Sequence, residues 1–386
     1  MDVDSTGGNE VAEAKKVAVV AKNVDAAKKA AKAKEAHKAK EAGKSKEAAG
    51  GKSADDKTLR KLKKSMVVVL NFRRILSLSS SAVRAMSNPV SKLVSAPWLH
   101  DNLKSVKVLD CSWYLPFLNR NSREEFAKSH IPGARFFGID EIKDFSKADL
   151  PHMLPLPEFF GASMDKFGIS NDDHVVVYDT AGVGPACRVF WTLHAMGHDR
   201  VSVLDGGFPS WVAEKYEAEA GEPQVKSPGS EKYTAQPVSQ LVCDYADVVG
   251  NIEELKVSGG TQGRQIVDAR PNGRFTGKDP EFRPGLSSGH MPHAISIPFT
   301  EVTEASDPAN PQVQKLKSPA DIRRVFESRG VDLNRPIIAS CGSGVTASVL
   351  YFALLNAGVS PHNLAVYDGS WTEYALNPYS EIIKDI

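Results

Sequence analysis

From Pro336 to Ala347 the chain reads PIIASCGSGVTA, an apolar run that stops at a cysteine and gives way to a glycine-rich loop. In parallel α/β sheets, ligands sit where a strand ends and a helix begins. Cys341 occupies such a point, with a helix expected from near Thr346. Successive backbone N–H groups and a helix amino terminus favour a thiolate and cradle an anion. Gly342 and Gly344 leave the loop backbone open to close approach by a substrate. The pattern suits a nucleophilic thiolate; a small buried cysteine in a tight turn is the plainer alternative.

Comparing the chain with itself separates the two, because self-similarity at a fixed period reveals architecture. VKVLDCSWYL (Val106 to Leu115) matches RQIVDARPNGRF (Arg264 to Phe275), and SHIPGARFF (Ser129 to Phe137) matches GHMPHAISIPF (Gly289 to Phe299), which puts His130 and His290 in equivalent turns. HVVVYDTAGVGPACRVFWTL from His174 matches PIIASCGSGVTASVLYFAL from Pro336, and VLDGGFPSW from Val203 matches VYDGSWTEY from Val366. Four blocks in the same order, about 160 residues apart, make two copies of one domain. Where the second copy has Cys341 the first has Asp179, which cannot act as a sulfur nucleophile. Only the second copy should be catalytic.

Each copy alternates short branched-apolar strands (VVVYD, VSVLD, IIAS, AVYD) with helical segments, Cys187 to Met196 and Thr346 to Ala357 among them. That alternation predicts an α/β fold: two tandem domains, each a parallel sheet with helices on both faces, after a disordered amino-terminal extension. The boundaries expected are 1–65 for a Lys/Ala-rich extension, 66–94 for a basic segment, 95–219 for the first domain, 220–238 for a Gly/Pro/Ser-rich linker and 239–386 for the second domain.

Composition limits the rest. The 386 residues carry a net charge of +1, which hides a lysine-rich start, and 41% of them are apolar, enough for two cored domains. Four scattered cysteines without a C-x-x-C pair fit a reducing compartment and argue against zinc. No apolar run approaches the roughly 20 residues that cross a bilayer, so no membrane partner is expected. The lysine-rich tail could touch nucleic acid, but Glu35, Glu41 and Glu47 interspersed in it favour a plain solvated segment, and nucleic acid is not an expected partner. From Lys57 to His100 there is no Asp or Glu, and Met66 to Ser87 is rich in Arg, Ser and apolar residues, the composition of a mitochondrial transit peptide. Its position after 65 residues suggests a translation start at Met66; a cytoplasmic chain with a plain basic linker is the alternative.

The inert first loop and the second-loop motif CGSGVTA resemble the rhodanese superfamily of sulfurtransferases, over about Ser95 to Pro378. The neutral Gly342 and Ser343 resemble its mercaptopyruvate-using members, since thiosulfate enzymes usually carry basic residues after the cysteine. The resemblance implies the following roles. Arg274 and Arg283, nine apart, match two arginines that hold the substrate carboxylate and keto oxygen, a task suited to guanidinium forks. Asp140 and His152, in FFGIDEIKDFSKADLPHMLP, match an acid and a histidine that the first domain adds to the cleft. With Ser343 they position and shuttle protons, while Gly342, Gly344, Val345 and Thr346 complete the substrate loop. Arg188 matches a recurrent arginine after the inert loop and is read as structural. His293 stands where the family has glycine.

The implied reaction moves the sulfur of 3-mercaptopyruvate through a Cys341 persulfide to a thiol acceptor such as thioredoxin, a small thiol or cyanide, with no cofactor, in a monomer or weak dimer. Three rivals remain: thiosulfate as donor, a persulfide carrier for tRNA thiolation or cofactor synthesis, and a phosphatase. The last needs an arginine closing the loop, where Ala347 and Ser348 stand.

Overall fold

A computed structural model of the chain describes residues 90–223 and 232–386. The readings made for residues 1–89, and for the middle of the linker, lie outside them.

The first domain runs β1 (Leu93–Val94), α1 (Ala96–Asn102), β2 (Lys107–Asp110), α2 (Ser122–Lys128), β3 (Arg135–Phe136), α3 (Pro157–Lys166), β4 (Val175–Tyr178), α4 (Pro185–Ala195), β5 (Val201–Leu204) and α5 (Gly207–Ala213). The second repeats the plan with β6 (Val242–Cys243), α6 (Tyr245–Val257), β7 (Gln265–Asp268), α7 (Asn272–Thr276) and β8 (Ala294–Ser296). It continues through β9 (Thr303–Asp307), β10 (Asn310–Leu316), α8 (Pro319–Ser328), β11 (Ile337–Ser340), α9 (Val345–Asn356), β12 (Leu364–Tyr367) and α10 (Ser370–Leu376). The two five-stranded sheets have orders β1-β5-β4-β2-β3 and β6-β12-β11-β7-β8, all parallel, so the duplication expected from the sequence is the architecture. β1 lies within the stretch assigned to the basic segment, so the first sheet begins before residue 95.

Continuous apolar runs such as VVVY and IIAS are buried along their whole length, as parallel strands covered on both faces require. Side chains alternate between two cores. Val108 and Val176 join Leu99, Phe126 and Trp211 on one face of the first sheet, while Leu109, Val175 and Val177 face α4. In the second sheet Ile266 and Ile338 meet Val248 and Trp371, while Val267, Ile337 and Ala339 face α9. The inward faces share one core. There α4 and α9, both apolar and buried nearly all round, pack against each other, with Phe190 edge-on to Phe352 at 4.7 Å and the Tyr351 hydroxyl 2.7 Å from His194 Nδ1.

The matched turns carry the duplication down to side chains. His130 stacks on Phe126 and His290 on Phe275, each at 4.1 Å, and each ring bonds the carbonyl of the phenylalanine beneath it. α4 starts two residues earlier than expected because Pro185 takes its first turn, where a missing N–H costs nothing. Two features were not foreseen. β9 and β10 form an antiparallel hairpin that reaches the first domain, Gln314 donating its N–H to the Ala181 carbonyl at 2.8 Å. The end of the linker stretch is also part of the fold: Gln236 and Val238 donate backbone N–H bonds to the Met196 and Ala195 carbonyls, each at 2.8 Å.

Candidate active site

Cys341 follows β11, buried at 2% exposure, in a four-residue loop that ends on Gly344, the residue before α9. Gly344 is left-handed at φ 81°, and it brings no side chain to cap the helix. The first N–H groups of α9 therefore lack the Ser, Thr or Asp acceptor most helices provide. The Gly344 N–H donates instead to Cys341 Sγ at 3.1 Å. Behind the loop, Ser370 Oγ accepts from the Cys341 N–H at 3.2 Å, while Trp371 and Thr372 donate theirs to the Cys341 and Gly342 carbonyls at 2.8 and 3.0 Å.

The inert loop shows what this arrangement attracts. Asp179, fully buried, turns its carboxylate into its own loop and accepts from the N–H groups of Ala181, Gly182, Gly184 and Ala186 at 2.7 to 3.0 Å. Burial pushes this carboxyl up, and the four bonds pull it back. Gly184 precedes α4 as Gly344 precedes α9, so a carboxylate fills in the first domain the cradle that holds sulfur in the second.

Arg283 lies against the cysteine loop, its Nη2 donating to Ser343 Oγ at 3.1 Å. A Cβ on Gly342 would stand 3.2 Å from Arg283 Nη1, so the glycine admits the guanidinium. Burial lowers Arg283, against the pull of Cys341 and Glu281. Arg274 stands one ring away: Phe282 is flanked by both guanidiniums, at 5.0 Å from Arg274 and 4.7 Å from Arg283, and Arg274 pairs with Glu281 at 3.2 Å. Arg270, unremarked in the sequence, anchors this segment by gripping Asp268 and Glu281 with fully buried charges and stacking on Trp371 at 4.1 Å.

Asp140 and His152 meet across the first-domain segment, with His152 Nδ1 2.9 Å from Asp140 Oδ1. Trp113, also missed, donates its indole N–H to Asp140 Oδ2 at 2.7 Å and turns its edge to the His152 ring at 4.7 Å. Burial lowers His152, the Arg188 and Arg283 charges push it the same way, and Asp140 opposes them. Burial would raise Asp140, but the His152 contact, the Trp113 N–H and Lys143 outweigh it and hold the carboxyl below the ordinary range. Neither ring nitrogen of His152 makes a well-aligned hydrogen bond among the described residues, so the 2.9 Å approach of Nδ1 to Asp140 is an ion-pair contact and Nε2 is without a partner. Ser343 bonds Arg283, and no hydrogen bond joins it to the Asp140 and His152 pair there. Val345 and Thr346 open α9 and line a cavity of about 890 Å³ that lies mainly beside the inert loop, between Trp113, Tyr114, Thr180 and Val313.

Duplicated parallel domains with one cysteine loop and one self-filled loop define the tandem rhodanese class. The profile of the rhodanese-like domain matches residues 95–214 and 251–377, and the chain belongs to that family. A relative in Schizosaccharomyces pombe, described as a probable 3-mercaptopyruvate sulfurtransferase, is 43% identical over 72% of this chain and 88% of its own. The Arabidopsis thaliana thiosulfate/3-mercaptopyruvate sulfurtransferase 1, mitochondrial, is 38% identical over 78% of this chain and 79% of its own. The crystal structure of the 3-mercaptopyruvate sulfotransferase SseA from Escherichia coli superposes with a TM-score of 0.62 at 33% identity, covering 73% of this chain and 99% of that one. The chain is thus an enzyme of the transferase class, a sulfurtransferase acting on a small sulfur compound.

Proposed function

We propose that the chain takes sulfur from 3-mercaptopyruvate, carries it as a persulfide on Cys341 and passes it to a thiol. The Cys341 thiolate attacks the substrate sulfur; an S–S bond forms, the C–S bond breaks and its electron pair leaves with pyruvate enolate. Arg283 and Arg274 hold the carboxylate and keto oxygen, Arg283 nearest the sulfur. His152, set by Asp140, manages the proton that turns the enolate into pyruvate, with Ser343 presented by Arg283. The loop N–H groups stabilise the anionic persulfide. An acceptor thiolate, from thioredoxin or a small thiol, then attacks the outer sulfur and restores Cys341; cyanide serves in an assay.

The observation that carries the reading is the Gly344 N–H donated to Cys341 Sγ at an uncapped helix start, one residue from the Arg283 bond to Ser343. Neutral residues after the cysteine, and the Schizosaccharomyces pombe and Escherichia coli proteins named for 3-mercaptopyruvate alone, support 3-mercaptopyruvate over thiosulfate, while the Arabidopsis relative is named for both donors. Sulfur transfer from the two donors, measured side by side with pyruvate and persulfide as readouts, tests it. Wild type should prefer 3-mercaptopyruvate, and Cys341→Ser should lose at least about a thousandfold in turnover. A preference for thiosulfate would overturn the donor, and an active Cys341→Ser would overturn the nucleophile.

The composition of Met66 to Ser87 and the mitochondrial Arabidopsis relative support a mitochondrial location. Amino-terminal sequencing of the endogenous chain tests this, and an intact Met1 on mature protein would sink it.

A further inference from the structure

We propose that Arg188 of the inert domain and Asp368 of the catalytic domain form a positioning pair that holds the His152 turn against the Cys341 loop. The inference rests on the reading of His152 as the group that manages the proton. Arg188 lies on α4 at 2% exposure, its guanidinium over Trp191 at 4.5 Å. Its Nη2 donates both to the His152 carbonyl and to Asp368 Oδ1, the latter at 2.6 Å. The other oxygen of Asp368 accepts the Leu154 N–H at 2.8 Å. The turn from His152 to Leu154 is therefore gripped at both ends by one ion pair that spans the two domains. It needs such a grip, because His152 is left-handed at φ 59°, a conformation that persists only when its surroundings impose it.

The same pair borders the thiol. The residues after Asp368 hold the Cys341 loop through Ser370 Oγ and the N–H groups of Trp371 and Thr372. A Cβ on Gly344 would run into Arg188 Nη1, so the guanidinium packs on the residue whose N–H reaches Cys341 Sγ. Stability alone does not explain charges here, since a buried ion pair commonly gains little over apolar residues of equal volume. Both acceptors are reached by the same nitrogen, Nη2, while Nη1 has no hydrogen-bond partner among the described residues. A lysine ammonium ends one bond short of Nη2 and lacks the planar head that lies over Trp191, so it cannot keep that reach.

The duplicated domain provides a control. Arg188 is the fourth residue of α4; the fourth residue of α9 is Ser348, whose hydroxyl bonds the Gly344 carbonyl at 2.8 Å within its own helix. Asp205, the twin of Asp368, instead accepts the Leu316 N–H of the hairpin at 3.3 Å. The clamp is present on the side of the interface that holds the cysteine, and the equivalent positions on the other side do not reproduce it.

The test is a double-mutant cycle on the full chain, with kcat and KM for 3-mercaptopyruvate read from pyruvate release. Arg188→Lys should lower kcat by about 10- to 100-fold, the scale of a misplaced catalytic group, and leave KM within about 2-fold. In a His152→Gln background it should cost less than about 2-fold more, because residues acting through one another are not additive. Additive losses, or an unchanged kcat in Arg188→Lys, would overturn the clamp while His152→Gln stayed costly. A His152→Gln variant with wild-type kcat would instead overturn the reading of His152, and the clamp with it. Should Arg188→Lys not fold, Asp368→Asn keeps the shape, removes the charge and runs through the same cycle with the same outcomes.

Discussion

At the scale of single residues the repeated loop sets two fates for one cradle. Asp179 fills it with its own carboxylate, each oxygen taking two N–H donors. Asp179→Asn keeps the shape but turns one oxygen into an NH2 that faces two donors, leaving them unsatisfied at roughly 1 to 3 kcal/mol each. We expect a loss of about 2 to 4 kcal/mol in urea unfolding, with kcat per folded molecule unchanged; a loss under about 0.5 kcal/mol would show that the carboxylate does not hold that loop. A second expectation concerns pH. Burial keeps His152 neutral below the ordinary histidine range, and Asp140 is the group that pulls its pKa back up. If turnover uses neutral His152, kcat falls only as pH drops through that lowered value. Asp140→Asn removes the upward pull, so the acidic limb of the kcat profile should move to still lower pH; a shift to higher pH would contradict the assignment.

Elements show how far sequence reaches. The strand, cysteine, glycine loop and helix were legible because all lie within one stretch of chain, and the duplicated pattern marked which loop carries an aspartate in place of the cysteine. The hairpin of β9 and β10 was not, since TEASDPANPQVQKL has neither a strong strand pattern nor a counterpart among the matched blocks. Arg188 with Asp368, and Trp113 with Asp140, escaped for another reason: they are 180 and 27 residues apart, and only folding shows that they meet. His293 was legible as a departure, and its turn keeps the shape glycine would take. His293 sits at φ 61°, beside Gly133 at φ 73° in the twin turn. An exposed side chain in that region costs on the order of 1 kcal/mol, partly offset by the entropy glycine loses on folding. His293→Gly should raise stability by up to about 0.5 kcal/mol in thermal or urea melts and leave kcat alone. A destabilised variant would mean that the imidazole makes a contact that outweighs the strain.

The whole molecule is where the two copies become one enzyme. The thiol loop belongs to the second domain and His152, Asp140 and Trp113 to the first, so the site proposed above exists only while α4 and α9 stay packed. The described residues form one compact unit, and the core under that helix pair runs from Phe160 and Val177 to Ile337 and Val366 without a break. Neither half could keep its inward face dry alone, since most of those side chains have no exposure. Loss of one half should therefore unfold the other. Phe352 is fully buried and edge-on to Phe190 across the seam, and its truncation to alanine leaves a cavity worth about 3 to 5 kcal/mol. We expect Phe352→Ala to lower the urea midpoint of one cooperative transition, seen together by far-UV circular dichroism, tryptophan fluorescence and loss of sulfur transfer. Trp98, Trp113, Trp191 and Trp211 report on the first domain and Trp371 on the second, so Trp371→Phe separates their signals. Coincident curves before and after that substitution would make the interface part of the fold; a first-domain transition that stayed put while activity disappeared at lower urea would show two bodies that merely touch.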